Sequence, residues 1–120
     1  MEFLLQLYAD QTRWSTLPPD QAHAEMGAYA AYTQALHDAG VFVAGERLAP
    51  PSSAASVRVS ADGKASVVDG PYPETKEQLG GYYVIDVADH DAAVSWAARC
   101  PGASHGTVEV RPIMAVPTAA

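Results

Sequence analysis

The chain of 120 residues carries 7 Lys+Arg against 14 Asp+Glu, a formal net charge of -7, with 48% hydrophobic and 18% charged residues. That balance fits one globular domain with a single core, and it denies the chain the clustered cationic surface that phosphate neutralisation requires, so nucleic-acid binding is disfavoured. No stretch reaches the roughly 20 apolar residues of a membrane helix, the opening MEFLLQLYAD lacks the flanks of a signal peptide, and the single Cys100 allows neither an intrachain disulfide nor a Cys-based zinc site; a cytoplasmic protein without membrane anchor, metal or organic cofactor is the expectation.

Glu2–Ala9 (EFLLQLYA) is short, apolar and aromatic-rich, the pattern of a central strand. A polar stretch, Asp10–Pro19, precedes a run from about Asp20 to Ala39 in which Ala22, Met26, Tyr29, Thr33 and Leu36 recur at steps of four and three, a helical stripe. Gly40 supplies the stop, and Val41–Glu46 reads as the next strand. The prolines of Leu48–Ser53 impose a loop, after which Ser56–Ser60 and Lys64–Val68 flank Ala61-Asp62-Gly63, a local hairpin signal. A second turn-rich stretch, Asp69–Pro73, leads through a polar patch to Gly81 and to Tyr82–Val87, the clearest strand in the chain. Asp89 is placed to cap a helix over Asp91–Cys100 that ends at Pro101, and Thr107–Met114 alternates with period two as the last strand.

The order strand, helix, strand, hairpin, strand, helix, strand is a split βαβ arrangement, so the predicted class is an α+β, ferredoxin-like sandwich with an inserted β-hairpin and both helices on one sheet face. The other face is left bare, yet the strands carry apolar residues on both parities: Phe3, Leu5 and Leu7 against Leu4 and Tyr8, and Tyr83, Ile85 and Val87 against Tyr82 and Val84. A second subunit covering that face accounts for this, which predicts a homodimer whose sheets form a dimeric α/β-barrel.

The segment Asp69-Gly70-Pro71-Tyr72-Pro73-Glu74-Thr75-Lys76-Glu77-Gln78-Leu79-Gly80-Gly81, running into Tyr82-Tyr83-Val84-Ile85-Asp86-Val87, resembles the signature of the DGPF branch of the YCII-related family. Trp96-Ala97-Ala98-Arg99-Cys100-Pro101, Val108–Ile113, LLQLYAD, AGVFVAGE and LAPPSSAASVR extend the likeness over essentially the whole chain, with Tyr72 standing where the family name has Phe. The resemblance implies a dimeric α/β-barrel. It also implies either a small-molecule enzyme without an organic cofactor or an accessory protein of a sigma-factor transcription circuit. In the family's namesake branch a helix His and an acidic residue are proposed as an acid–base dyad. Counting back from Gly40 puts Tyr29 at that helix position, with His23 six residues earlier on a different face and Asp10 as the acidic counterpart.

Three groups of residues bear on chemistry. In the loop after the hairpin, Lys76 suits a ligand carboxylate and Asp69 or Glu74 suits proton transfer if burial raises its pKa, while the same charges fit a solvated turn set by Gly70 and Pro71. On the strands, Glu109 with Arg111 and Gln6 with Tyr8 share faces and, with Tyr82, suit the lining of a small-molecule pocket in the barrel lumen, while Glu109 with Arg111 equally suits a self-satisfied ion pair at the dimer seam and Tyr82 a packing role. Among the histidines, His23 and His37 stand about 21 Å apart along one helix and cannot share a metal, while His90 and His105 read as solvated and Cys100 as a core residue. The candidate catalytic groups are thus Asp69, His23 and Asp10, and the candidate ligand contacts Tyr8, Tyr29, Glu74, Lys76, Tyr82, Glu109 and Arg111. Acid–base catalysis on a small molecule and non-catalytic binding with a regulatory role are the two functions these residues allow.

Overall fold

The computed structural model describes residues 1–71 and 76–116. Strand β1 (Glu2–Ala9) is the hub: it pairs antiparallel with β5 (Gln78–Asp86) on one side and with β6 (Thr107–Pro112) on the other, and β2 (Phe42–Arg47) joins the outer edge of β5. The order β2-β5-β1-β6, with helix α2 (Pro19–Asp38) between β1 and β2 and helix α3 (His90–Arg99) between β5 and β6, is an α+β arrangement consistent with a ferredoxin-like fold. Between β2 and β5 in the chain, β3 (Ala55–Val59) and β4 (Ala65–Asp69) pair antiparallel as a separate two-stranded arm. The four-stranded sheet stays open, with β2 and β6 at its edges. No helix among the described residues is long and apolar enough to cross a membrane.

The core forms where the period-two alternation of the strands meets two helices. Phe3, Leu5 and Ile85 are fully buried, with Tyr83 and Val87, beneath Tyr32 and Leu36 of α2 and Ala93, Ala97 and Cys100 from α3 and its end. The small Ala93 and Ala97 let α3 sit close to the sheet. Its start is fixed by Asp89, whose Oδ1 accepts a hydrogen bond from the Ala92 backbone N–H at 2.8 Å. Helix α2 ends where Gly40 takes φ +72, a conformation costly for any residue with a Cβ.

Three departures from the sequence expectation have local causes. Strand β5 begins at Gln78 rather than Tyr82, because Gly80 and Gly81 lie inside the strand: the register slips between Leu7 and Tyr8 of β1, and a Cβ on Gly80 would stand 2.7 Å from the Gln11 side chain. The stretch after β1 contains a one-turn helix, α1 (Arg13–Thr16), which opens with Asp10 accepting from Thr12 N–H at 3.0 Å. Of the α2 stripe only Leu36 is buried; Ala22, Tyr29 and Thr33 are half-buried and Met26 is 53% exposed, so the N-terminal half of the helix stands away from the sheet.

Opposite stability effects follow for two positions on α2. Leu36→Ala removes a fully buried side chain and is expected to cost about 2–5 kcal/mol. Gly27→Ala, at a mid-helix site with nothing within 4 Å of the added Cβ, is expected to add about 0.5–1 kcal/mol. Urea unfolding followed by far-UV circular dichroism checks both.

Candidate functional site

Where the N-terminal half of α2 leaves the sheet, a cleft of about 420 Å³ opens between α1, α2, β2 and the adjoining ends of β1 and β5. Its walls are mainly apolar: Leu7 from β1, Met26 and Tyr29 from α2, Phe42 from β2, Tyr83 from β5 and Trp14 from α1. The volume depends on glycines. A Cβ on Gly102, in the 3-10 turn Pro101–Ser104, would lie 2.8 Å from the Tyr29 hydroxyl, and one on Gly45 would lie 2.7 Å from the Tyr83 ring.

The polar groups fall into two sets. Deep in the cleft, the Tyr83 and Thr33 hydroxyls share a hydrogen bond of 2.9 Å, and the Thr33 hydroxyl also donates to the Tyr29 carbonyl at 2.9 Å. The Tyr29 hydroxyl itself has no hydrogen-bond partner among the described residues, and burial pushes its pKa up to about 12. It is therefore a neutral donor throughout the physiological range. At the mouth, Arg13 of α1 grips Glu25 of α2 with both guanidinium nitrogens, Nη1 donating to Oε2 at 2.7 Å and Nη2 to Oε1. That hydrogen bonding holds the Glu25 carboxyl below its usual range, the positive charge of Arg13 and the nearby His105 acting in the same direction. Arg47 lies over the Trp14 ring, 5.0 Å from its centroid, on the same rim.

Four of the sequence candidates come together here: Tyr8, Asp10, Tyr29 and Tyr82 all border the cleft. Asp10 is tied to its own turn, accepting from the Thr12 N–H and at 2.7 Å from the Thr12 hydroxyl, and these bonds, with the charge of Lys76, hold its carboxyl below the usual range. Lys76 is exposed beyond it. His23 is exposed on α2 away from the cleft lining, and Asp69 is exposed at the end of β4. Glu74 lies outside the described residues. Glu109 and Arg111 form an ion pair on β6, on the sheet face opposite the helices, with Glu109 paired to Gln6 across the ladder. There Tyr8, Glu77, Thr107 and Glu109 border a shallow second hollow. Among the described residues no three His, Cys, Asp or Glu side chains are grouped as a metal site would need.

Sequence reasoning passed over Arg13 and Glu25, took Trp14 and Thr33 as packing groups, and took His105 as solvated. Arg13 and Glu25 are twelve residues apart and carry no local motif, whereas Thr33 was visible in the stripe and read as part of a packed face. Cys100 is buried, and burial pushes its thiol up, as an inert core residue requires.

Two comparisons with known proteins bear on this site. The family model described as "YCII-related domain" matches residues 1–117. An "Uncharacterized protein R00369" of Rhizobium meliloti (strain 1021) is 36% identical over 115 residues, covering 94% of this chain and 92% of that protein.

The ion pair across the mouth has a defined pH signature. Because the Glu25 carboxyl is lowered on folding, its contribution is fully present above the ordinary value of 4.5 and is lost as pH falls through the lower folded value. Glu25→Gln is expected to cost about 0.5–1 kcal/mol at pH 7, given side chains 29% and 20% exposed. The gap from wild type should narrow progressively as pH falls below 4.5 when thermal unfolding is compared across that range.

Proposed function

The chain belongs to the YCII-related domain family, and on that premise we propose that the helix-side cleft binds a small, largely apolar molecule through a hydrogen-bond acceptor directed at the Tyr29 hydroxyl. The observation that carries this reading is that hydroxyl: a neutral donor without a protein partner, in an apolar cleft of about 420 Å³. A carbonyl or carboxylate oxygen of the ligand is the acceptor it fits. Acid–base turnover without an organic cofactor takes its proton through His105, the cleft-lining imidazole beside Glu25, with Tyr29 polarising the acceptor. The Asp69-Gly70-Pro71 segment supports placement in the DGPF branch.

Binding without turnover is the second reading, and a specific observation favours it. The carboxyls of Asp10 and Glu25 are both lowered by their hydrogen bonds, the reverse of what a carboxylate base working near neutrality needs. Under either reading a second copy of the chain covers the open sheet face and closes the shared barrel. Support comes from that face itself, where Leu4 opposes Val84 and Gln6 opposes Tyr82, all half-buried with no helix above them.

A thermal-shift panel of small aromatic and aliphatic ketones, lactones and carboxylic acids tests the site. Compounds that raise the melting temperature of the wild type should bind about 3- to 10-fold more weakly to Tyr29→Phe, which loses one hydrogen bond and keeps the ring. Any turnover of those compounds should vanish in His105→Ala while binding persists. Equal affinity in Tyr29→Phe would overturn the assignment of the cleft.

A further inference from the structure

One row of residues crosses the floor of the cleft. Leu7 of β1 pairs with Gly81 of β5, and Gly81 pairs in turn with Arg47 of β2. Residues directly opposed across antiparallel strands share a face, and Gly81 is buried in step with Tyr83 and Ile85, so the row lies on the helix side of the sheet. Two strand spacings set its ends about 10 Å apart. At the Leu7 end stands the Tyr29 hydroxyl: a Cβ on Gly102 would lie 2.8 Å from that hydroxyl and 3.5 Å from Leu7 Cδ2. At the other end is Arg47, and between them Gly81 leaves the floor bare.

Among the described residues Arg47 is the cation of the cleft lining that no carboxylate neutralises. Arg13 is taken by Glu25, and Asp10 accepts from Thr12. The neighbouring Glu46 pairs with Tyr82 and so belongs to the opposite sheet face. In a chain with 14 Asp+Glu against 7 Lys+Arg, an acidic partner is not in short supply. Arg47 is held instead by Trp14, with the guanidinium carbon 5.0 Å from the ring centroid. An aromatic face offers no lone pair, so this contact positions the charge and leaves N–H donors to meet a carboxylate in pairs.

We propose that the ligand of this cleft is a small oxo-carboxylate, an apolar body with its carboxylate at the Arg47 end of the row and a neutral carbonyl oxygen at the Tyr29 end. The inference rests on the reading that the cleft binds through Tyr29, and it makes Arg47 the residue that selects for negative charge. The two ends differ in kind. Around the Tyr29 hydroxyl the Leu7 and Tyr83 walls penalise a buried anion, whereas at the exposed rim the carboxylate keeps water as well as the guanidinium. A phosphate monoester suits the rim less: it carries nearly two negative charges against one guanidinium, with Asp10 on the same lining.

Isothermal titration calorimetry on the full chain, with far-UV circular dichroism as a check on folding, tests this with probes of similar shape. Both oxygens are present in para-acetylbenzoate, only the ketone in para-methylacetophenone and only the carboxylate in para-isopropylbenzoate. The wild type is expected to bind para-acetylbenzoate about 5- to 10-fold more tightly than para-methylacetophenone, the worth of a charge-assisted pair partly open to water. That advantage should shrink as sodium chloride is added. Arg47→Gln should erase it and leave the affinity for para-methylacetophenone unchanged, while Arg47→Lys, which keeps the charge without the fork, should restore part of it. Tyr29→Phe should weaken para-acetylbenzoate and leave para-isopropylbenzoate as it was. A wild type that binds ketone and oxo-acid equally, or an Arg47→Gln variant that keeps the preference or weakens both alike, overturns the anionic end while the Tyr29 cleft stands. Tighter binding of para-acetylphenyl phosphate than of para-acetylbenzoate overturns the carboxylate as the head group. Binding of none of these probes sinks both readings.

Discussion

The seating of Tyr32 and Leu36 on the sheet is the contact from which the rest of the structure follows. Both are buried against the face made by Phe3, Leu5, Tyr83 and Ile85, and the Tyr32 ring meets Tyr83 edge-on at 5.3 Å between centroids. Its hydroxyl then donates to the Trp96 carbonyl at 2.7 Å, so one side chain fastens α2 to the sheet and to α3. Burial pushes the Tyr32 pKa upward, which keeps that donor protonated. Because the anchor lies in the C-terminal half of a 20-residue helix, the other half is free to diverge.

That divergence would be unfavourable if it only exposed apolar surface, and two features limit the cost. Arg13 and Glu25 span the gap between α1 and α2, fixing the separation with a bidentate contact instead of a packed one. Gly45, Gly81 and Gly102 remove side chains where the walls come nearest: a Cβ on Gly81 would stand 3.0 Å from the Glu46 carbonyl. The cleft is therefore a product of a strut and of missing side chains, and each could be replaced by apolar packing that would make a tighter domain without a cavity.

This explains which parts were legible in the sequence. The apolar, aromatic-rich run EFLLQLYA, the β-branched and aromatic YYVIDV, the Asp89 cap and the Gly40 stop are local signals, and they carry the α+β element order without knowledge of distant contacts. The cleft is not a local signal. A stripe of Ala22, Met26, Tyr29, Thr33 and Leu36 looks the same whether it packs on a sheet or walls a cavity, and nothing in it tells that Met26 stands in the open. Gly80-Gly81 is likewise ambiguous, since paired glycines suit a turn and also a bulged strand pressed against Gln11 and Glu46. The site candidates divided along the same line. Tyr8, Asp10, Tyr29 and Tyr82 sit near strand and helix ends that converge on the cleft, whereas His23 shares a helix with Tyr29 but not its face.

The chemistry of the Tyr29 hydroxyl also bears on how selective such a cleft can be. Apolar walls such as Leu7, Met26 and Phe42 distinguish ligands weakly, because one methylene more or less changes binding by only about 1–3 kcal/mol. A donor that must face the ligand acts differently: a molecule without an acceptor strands it in an apolar setting, with a desolvation penalty of about 1–3 kcal/mol and no hydrogen bond to offset it. The carboxylates near the mouth differ in this respect, since both oxygens of Glu25 are held by Arg13, whereas Asp10 accepts from Thr12 through Oδ1 alone. On the proposed reading, shape admits a broad class of small apolar molecules, and the unpartnered Tyr29 hydroxyl narrows that class to those presenting an oxygen at the Gly102 side of the cleft.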